Sequence, residues 1–191
     1  MKGKAIQVFA ISLALVLLAN GAQAQQWAED SKVLRLLDKL DRPQDGYCVD
    51  VVGVGPDART DLPLFVHNCS SERYPDEAVR FDDSGLIRFP AYKLCVTAMG
   101  INGLSLPGSA MLLRPCGERS SFMDADALQH FSLDPDRSLK LVTSNLCLTV
   151  GSRSTRTYSM QHRWRALYLD DCATTPPERS RWEFTTIEPK Q

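Results

Sequence analysis

The sequence predicts an all-β domain built from three copies of one four-stranded unit. Three observations lead there. First, a short apolar segment around a cysteine occurs three times: Gly46-Tyr47-Cys48-Val49-Asp50-Val51-Val52-Gly53, Lys93-Leu94-Cys95-Val96-Thr97-Ala98-Met99-Gly100 and Asn145-Leu146-Cys147-Leu148-Thr149-Val150-Gly151. Second, each copy is followed by an apolar run that closes on another cysteine: Leu64-Phe65-Val66-His67-Asn68-Cys69, Met111-Leu112-Leu113-Arg114-Pro115-Cys116 and Leu167-Tyr168-Leu169-Asp170-Asp171-Cys172. Third, the apolar runs are short and alternate with turn residues, which is the pattern of strands. Self-similarity at a period of about 50 residues marks a repeat architecture.

Residues 1–24 read as a signal peptide. Lys2 and Lys4 form a basic start, Ala5 to Leu18 an apolar core, and Ala22-Gln23-Ala24 a cleavage site of the A-x-A type. The apolar core is short for a bilayer span, and no other run is long enough. The chain is therefore expected to be exported, to the periplasm or outside the cell, with no membrane span. Loss of residues 1–24 removes two lysines and no acids, moving the formal charge from −1 to −3. So small a charge does not favour nucleic acid as a partner.

Residues 25–43 read as a helical segment. Val33, Leu34, Leu36, Leu37 and Leu40 recur at helical spacing, with Lys32, Arg35, Asp38 and Lys39 between them. Asp30 or Ser31 can cap the start, and Pro43 disfavours helix at Arg42. Such a helix either packs on the domain or docks a second protein subunit.

Residues 44–191 hold the repeats, at about 44–84, 85–136 and 137–188. All six cysteines lie in the part beyond the signal peptide. An even count in an oxidising compartment favours disulfides, and six cysteines allow 15 connectivities. The repeat selects Cys48–Cys69, Cys95–Cys116 and Cys147–Cys172. Zinc would need C-x-x-C or Cys/His clusters, and the sequence has none, so no metal and no other cofactor is expected. Asp82-Asp83-Ser84-Gly85 joins two apolar runs as a hairpin, and Asp134-Pro135-Asp136-Arg137 does the same one repeat later. Each unit thus has a strand before its first cysteine, one carrying it, one ending at the second cysteine and one ending at Phe81, Phe131 or Trp182. Three such units around an axis can close a small barrel capped by hairpins, which removes sheet edges.

A signal peptide, three repeats, a cysteine pair in each and an aromatic after each second cysteine resemble the ricin-type β-trefoil lectin family. The resemblance rests on Cys48-Val49-Asp50-Val51, similar to that family's C-[LV]-D-V, and on the Q-x-W position. The latter reads Gln129-His130-Phe131 in repeat 2 and, weakened, Val79-Arg80-Phe81 and Ser180-Arg181-Trp182. It implies a β-trefoil in which Phe81, Phe131 and Trp182 are core residues.

The resemblance also implies where a sugar would bind: an acid two residues after the first cysteine, an aromatic two before the second, and an amide just ahead of the Q-x-W aromatic. Repeat 1 keeps the acid as Asp50, with His67 as platform and Asn68 beside it, but Ala78 and Val79 stand at the amide positions. Repeat 2 has Thr97 and Arg114 and keeps Gln129. Repeat 3 has Thr149 and Asp170, with Arg179 and Ser180 at the amide positions. No copy is complete. Asp50, His67 and Asn68 are the candidate carbohydrate-binding residues. Repeat 3 is four residues longer between its cysteines, and the addition falls in Gly151–Trp164, which carries Arg153, Arg156, Tyr158, His162 and Trp164. Long loops on rigid scaffolds often carry function, and aromatics with arginines suit recognition. Gln129, Tyr158 and Trp164 are therefore secondary candidates.

Catalysis is not expected. The chain has no G-x-S-x-G, no H-E-x-x-H and no glycine-rich phosphate loop, and no cysteine is left over if all six pair. Two functions follow from the residues: a secreted, non-enzymatic carbohydrate-binding module with a weak site for a glycan or glycoprotein, or a protein-interaction module on a trefoil scaffold, such as a toxin or surface-complex subunit or an inhibitor.

Overall fold

The computed structural model describes residues 27–187 apart from Tyr158, and for Met123 the backbone only. The signal-peptide reading of 1–24 and the candidate Tyr158 lie outside the described residues. Repeat 1 contributes β1 (Val33–Leu36), β2 (Tyr47–Asp50), β3 (Phe65–Asn68) and β4 (Arg80–Phe81). Repeat 2 contributes β5 (Ile87–Phe89), β6 (Leu94–Ala98), β7 (Met111–Arg114), a small hairpin of β8 (Arg119–Ser120) and β9 (Met123–Asp124), and β10 (Phe131–Leu133). Repeat 3 contributes β11 (Leu139–Leu141), β12 (Leu146–Val150), β13 (Thr155–Arg156), β14 (Arg163–Asp171) and β15 (Trp182–Thr185). Among the described residues the only helical pieces are three short 3-10 turns.

The cysteine-bearing segments become the hairpins β2–β3, β6–β7 and β12–β14. They are joined edge to edge: β14 pairs with β3, Leu64 donates its N–H to Met111 O, and Leu169 donates to Ser109 O. The result is a barrel-like wall. Three further antiparallel pairs cap it, each made of the last strand of one repeat and the first of the next: the hairpins β4–β5 and β10–β11, and β15 with β1 from the other end of the described chain. The ring closes through the pairing of the two ends of the described chain. Alternate residues of the strands fill one core, among them Leu34, Leu36, Val49, Val66, Phe89, Met111, Leu139, Leu148, Leu169 and Trp182. The three disulfides are those the repeat selects, at Cα–Cα distances of 4.9, 5.1 and 5.0 Å.

The expected helix over 25–43 is corrected for the residues that are described. Val33–Leu36 is a strand, paired along its whole length with β15 from Val33↔Thr185 to Leu36↔Trp182. The same leucines satisfy both periods. Leu34 and Leu36 point into the main core, while Val33 packs beside Cys48 and Ile187. Leu37 is 42% exposed, and Leu40 sits at φ 51, a left-handed conformation that no helix continues through. A helix here would leave β15 without a partner and repeat 1 without its first strand. Tertiary pairing therefore overrides helical spacing. Val33–Leu36 is therefore the strand that pairs with β15.

A second correction concerns register. Phe131 donates its N–H to Gly85 O, Trp182 to Arg137 O and Val79 to Lys32 O, each at 2.8 Å. Val79, not Phe81, is thus the counterpart of the two core aromatics, and all three are buried. Phe81 is the counterpart of Leu133 and Phe184. It lies half-buried, stacked on Phe184 at 4.7 Å between ring centroids. Repeat 1 therefore reads Glu77-Ala78-Val79 where repeat 2 reads Gln129-His130-Phe131.

Candidate functional site

The corrected register changes the chemistry of repeat 1. In repeat 2, Gln129 is fully bonded: Oε1 accepts the Gly117 N–H at 2.8 Å, and Nε2 donates to Thr97 Oγ1 at 2.9 Å and to Pro115 O at 3.0 Å. In repeat 1 the counterpart is Glu77, whose Oε2 accepts the equivalent N–H, that of Ser70, at 3.3 Å. The counterpart of Thr97 is Asp50. An ionised Glu77 has no proton to donate, so two acids face one another where an amide and a hydroxyl would bond. Repeat 3 has Ser180 at this place, which turns away to Pro176 O. Thr149 bonds its own strand at Cys147 O, as Thr97 does at Cys95 O.

Asp50 closes β2 and is 6% exposed; Asp76 is 7% and Glu77 3% exposed. Asp50 and Asp76 can hydrogen-bond one another only through a proton kept by one of them; with both ionised, Asp50 Oδ1 and Asp76 Oδ1 have no partner, and neither does the buried hydroxyl of Tyr92. Burial pushes the Asp50 carboxyl well above its usual range, and the charges of Glu77 and Asp76 push it further. Burial chiefly, with the nearby Asp76, moves Glu77 up to about 8. Burial also raises Asp76 and, together with Asp76 and Asp50, the Tyr92 phenol. His67 moves the other way, down to about 4, first through burial and then through the charge of His162. Its Nδ1 lies 3.8 Å from Asp50 Oδ2, a contact between an imidazole neutral at pH 7 and a carboxyl whose burial favours its protonated form.

Asp50, Asp76, Glu77, His67 and His162 line a cleft of about 1050 Å3 together with Asn68, Tyr74, Trp164 and the apolar Leu62, Pro63 and Val54. The turn leading out of β2 makes room for it. Gly53 has φ +86, and a Cβ there would sit 2.3 Å from Asp57 O, so only glycine lets the chain fold back at this point. The far wall comes from repeat 3. The extra residues lengthen β14 and fold β13 back onto it, so that Trp164 pairs with His67 across the strands. His162 stacks on His67 at 5.3 Å, and Trp164 meets Phe65 edge-on at 6.2 Å.

Of the sequence candidates, Asp50, His67, Asn68 and Trp164 come together. Asn68 also has a structural part: its Oδ1 accepts the Arg163 N–H at 3.1 Å and its Nδ2 donates to Asp45 at 3.3 Å. Gln129 is buried in repeat 2, away from the cleft. Asp76, Glu77, Tyr74 and His162 were not among the predicted site residues. The signal for Glu77 was present two positions earlier than the aromatic suggested, as the acid of Glu77-Ala78-Val79.

The sequence matches no family model and no curated protein. Among solved structures it is similar to the mdaA-1 domain, with 16% identity and a TM-score of 0.55 over 86% of this chain and 94% of that one. It is also similar to the β-trefoil lectin of the Vibrio vulnificus hemolysin/cytolysin, solved with N-acetyl-D-lactosamine bound, with 14% identity and a TM-score of 0.53 over 84% of this chain and 97% of that one. At such identities the likeness is one of fold, and the fold is the β-trefoil.

Proposed function

We propose that the chain is a non-catalytic carbohydrate-binding module whose site is the cleft of repeat 1. One observation carries this reading: Asp50, the acid at the end of β2, shares a cleft with the Trp164 and Tyr74 rings, His67 and Asn68. A sugar ring needs a polar group for its hydroxyls and a flat apolar face for its C–H side, and both are within reach here. The Vibrio vulnificus lectin, of the same fold, was solved with a disaccharide bound. Three disulfides and the basic-apolar-small pattern of residues 1–24 support export to an oxidising compartment.

The site departs from the family's arrangement, since acids occupy the place of the amide. Neutral monosaccharides are therefore expected to bind weakly, with a Kd on the order of millimolar, equivalent to about −4 kcal/mol. Titration followed by NMR shifts tests this. Galactose- and glucosamine-type sugars should move resonances of Asn68, Tyr74 and Trp164, and Asp50→Asn should weaken the effect about tenfold. Shifts confined to other repeats would refute the placement.

A protein-interaction reading has one observation in its favour. Ile101, Leu104, Leu106 and Phe122 of repeat 2 are each 65 to 76% exposed, and Asn102 N–H bonds Phe122 O, bringing the two loops together. Such a patch suits a protein surface. Replacing Leu104 and Leu106 by Asp should abolish any concentration-dependent association seen in sedimentation and leave sugar titrations unchanged. The docking helix of the sequence reading has no place here, since its described part is β1.

A further inference from the structure

Building on the carbohydrate-binding reading, we infer that the repeat 1 cleft selects sugars carrying a free, protonated amine. Asp50, Asp76 and Glu77 are each more than nine-tenths buried and line one cleft. Asp50 and Asp76 hydrogen-bond one another only when one of them keeps a proton, and with both ionised their Oδ1 atoms have no partner. Among the described residues no Lys or Arg lies within ion-pair distance of the three. The one contact of that kind is His67 to Asp50 at 3.8 Å. Buried acids without a countercharge are costly unless they keep a proton or meet a cation.

The scaffold does not require an acid here. Repeat 2 builds the same backbone around Gln129, with every polar atom of its amide bonded. Glu77 is thus a property of this cleft. A metal ion is not the fitting cation, because among the described residues no group of three or more His, Cys, Asp or Glu is arranged to hold one. An ammonium brings three donors and the positive charge that the three acids lack, in place of the proton that Asp50 and Asp76 otherwise share. Trp164, with Tyr74 and His67, offers rings for the sugar face and for the cation itself. Besides one another, the carboxyls face the Val51 N–H at Asp50, the Ser70 N–H at Glu77, the Tyr92 hydroxyl, His67 and, stacked on it, His162. None of them is a fixed positive charge, so the ligand supplies it.

Burial displaces Glu77 upward to about 8, so it holds its proton at neutral pH, and it raises Asp50 and Asp76 in the same direction. Binding of an ammonium then releases protons to solvent. The affinity for the amine rises as pH climbs from about 5 to about 7 and falls again when the amine itself loses its charge.

The test uses the oxidised protein and five probes: glucosamine, N-acetylglucosamine, galactosamine, N-acetylgalactosamine and n-butylamine. Binding is read by NMR shifts of the cleft and by calorimetry in two buffers of different ionisation heat. The expected result at about pH 7 is roughly tenfold tighter binding of each amine over its N-acetyl partner, with net proton release and little binding of n-butylamine. The preference should vanish in Glu77→Gln, whose side chain repeat 2 already accommodates. Equal affinity for amine and N-acetyl sugars, with both moving the cleft, would overturn the selectivity and leave the carbohydrate reading standing. n-Butylamine matching the hexosamines would overturn the sugar half of the inference. No cleft shift with any probe would overturn both readings. Preference retained in Glu77→Gln, or binding without proton release, would remove Glu77 and the acids from the explanation.

Discussion

Glu77 occupies the place that Gln129 fills one repeat later, and a single oxygen-for-nitrogen exchange converts a satisfied amide into a buried acid. The consequence for stability has a definite sign. Glu77 titrates at about 8 in the folded protein against an ordinary value of 4.5. Its folded-state value is raised, so its contribution is fully present below about pH 4.5 and is lost as pH rises toward 8. Asp50 and Asp76, raised in the same way, act with the same sign. Glu77→Gln should therefore raise stability above about pH 7, by about 2 kcal/mol, and gain nothing below about pH 4. Urea melts of both proteins across that range give the difference directly. An unchanged difference between acid and neutral pH would contradict the buried-acid account.

At the scale of the element, β1 decides how the N-terminal segment is understood. Leu36 is buried against the main core, while Leu37, next in sequence, is exposed. Leu36→Ala should cost about 3 kcal/mol and Leu37→Ala under about 0.5 kcal/mol. The contrast also separates strand from helix in hydrogen exchange: the Val33 to Leu36 amides should exchange together with those of β15. The loop that follows is held by Asp41, which accepts from Arg165 at 2.6 Å and from the Tyr47 hydroxyl at 2.8 Å. Asp41→Ala leaves Arg165, itself 7% exposed, without its carboxylate. It should destabilise the protein by about 1–3 kcal/mol, measurable in the same melts. The leucine spacing was legible in the sequence and pointed to the wrong element. Val33, Leu34, Leu36 and Leu37 satisfy a helical stripe and a two-sided strand equally well, and only the presence of β15 alongside distinguishes the two.

For the whole molecule, stability rests on three equivalent hairpins, each tied by a disulfide across its open end. Closing loops of this length contributes about 3 kcal/mol apiece in the chain-entropy model. Reduction should accordingly lower the melting temperature sharply, and non-reducing peptide mapping should return three bridges, each within one repeat. The sequence by itself determined the three-fold repeat, the cysteine pairs, the hairpin turns and the all-β character, because these depend on residues near in sequence and on a pattern stated three times. From the resemblance and the loop length it also nominated Asp50, His67 and Asn68, with Gln129, Tyr158 and Trp164 as secondary candidates, and of these the fold brings Asp50, His67, Asn68 and Trp164 to one cleft. Tertiary structure decided the rest. It made a strand of Val33–Leu36 because the ring of hairpins must close on β15. It placed Val79 rather than Phe81 in the core because backbone register, and not side-chain size, sets equivalence between repeats. It brought Trp164 of repeat 3 beside Asp50 of repeat 1 because β14 and β3 are neighbours in the barrel wall, a proximity that no spacing along the chain encodes.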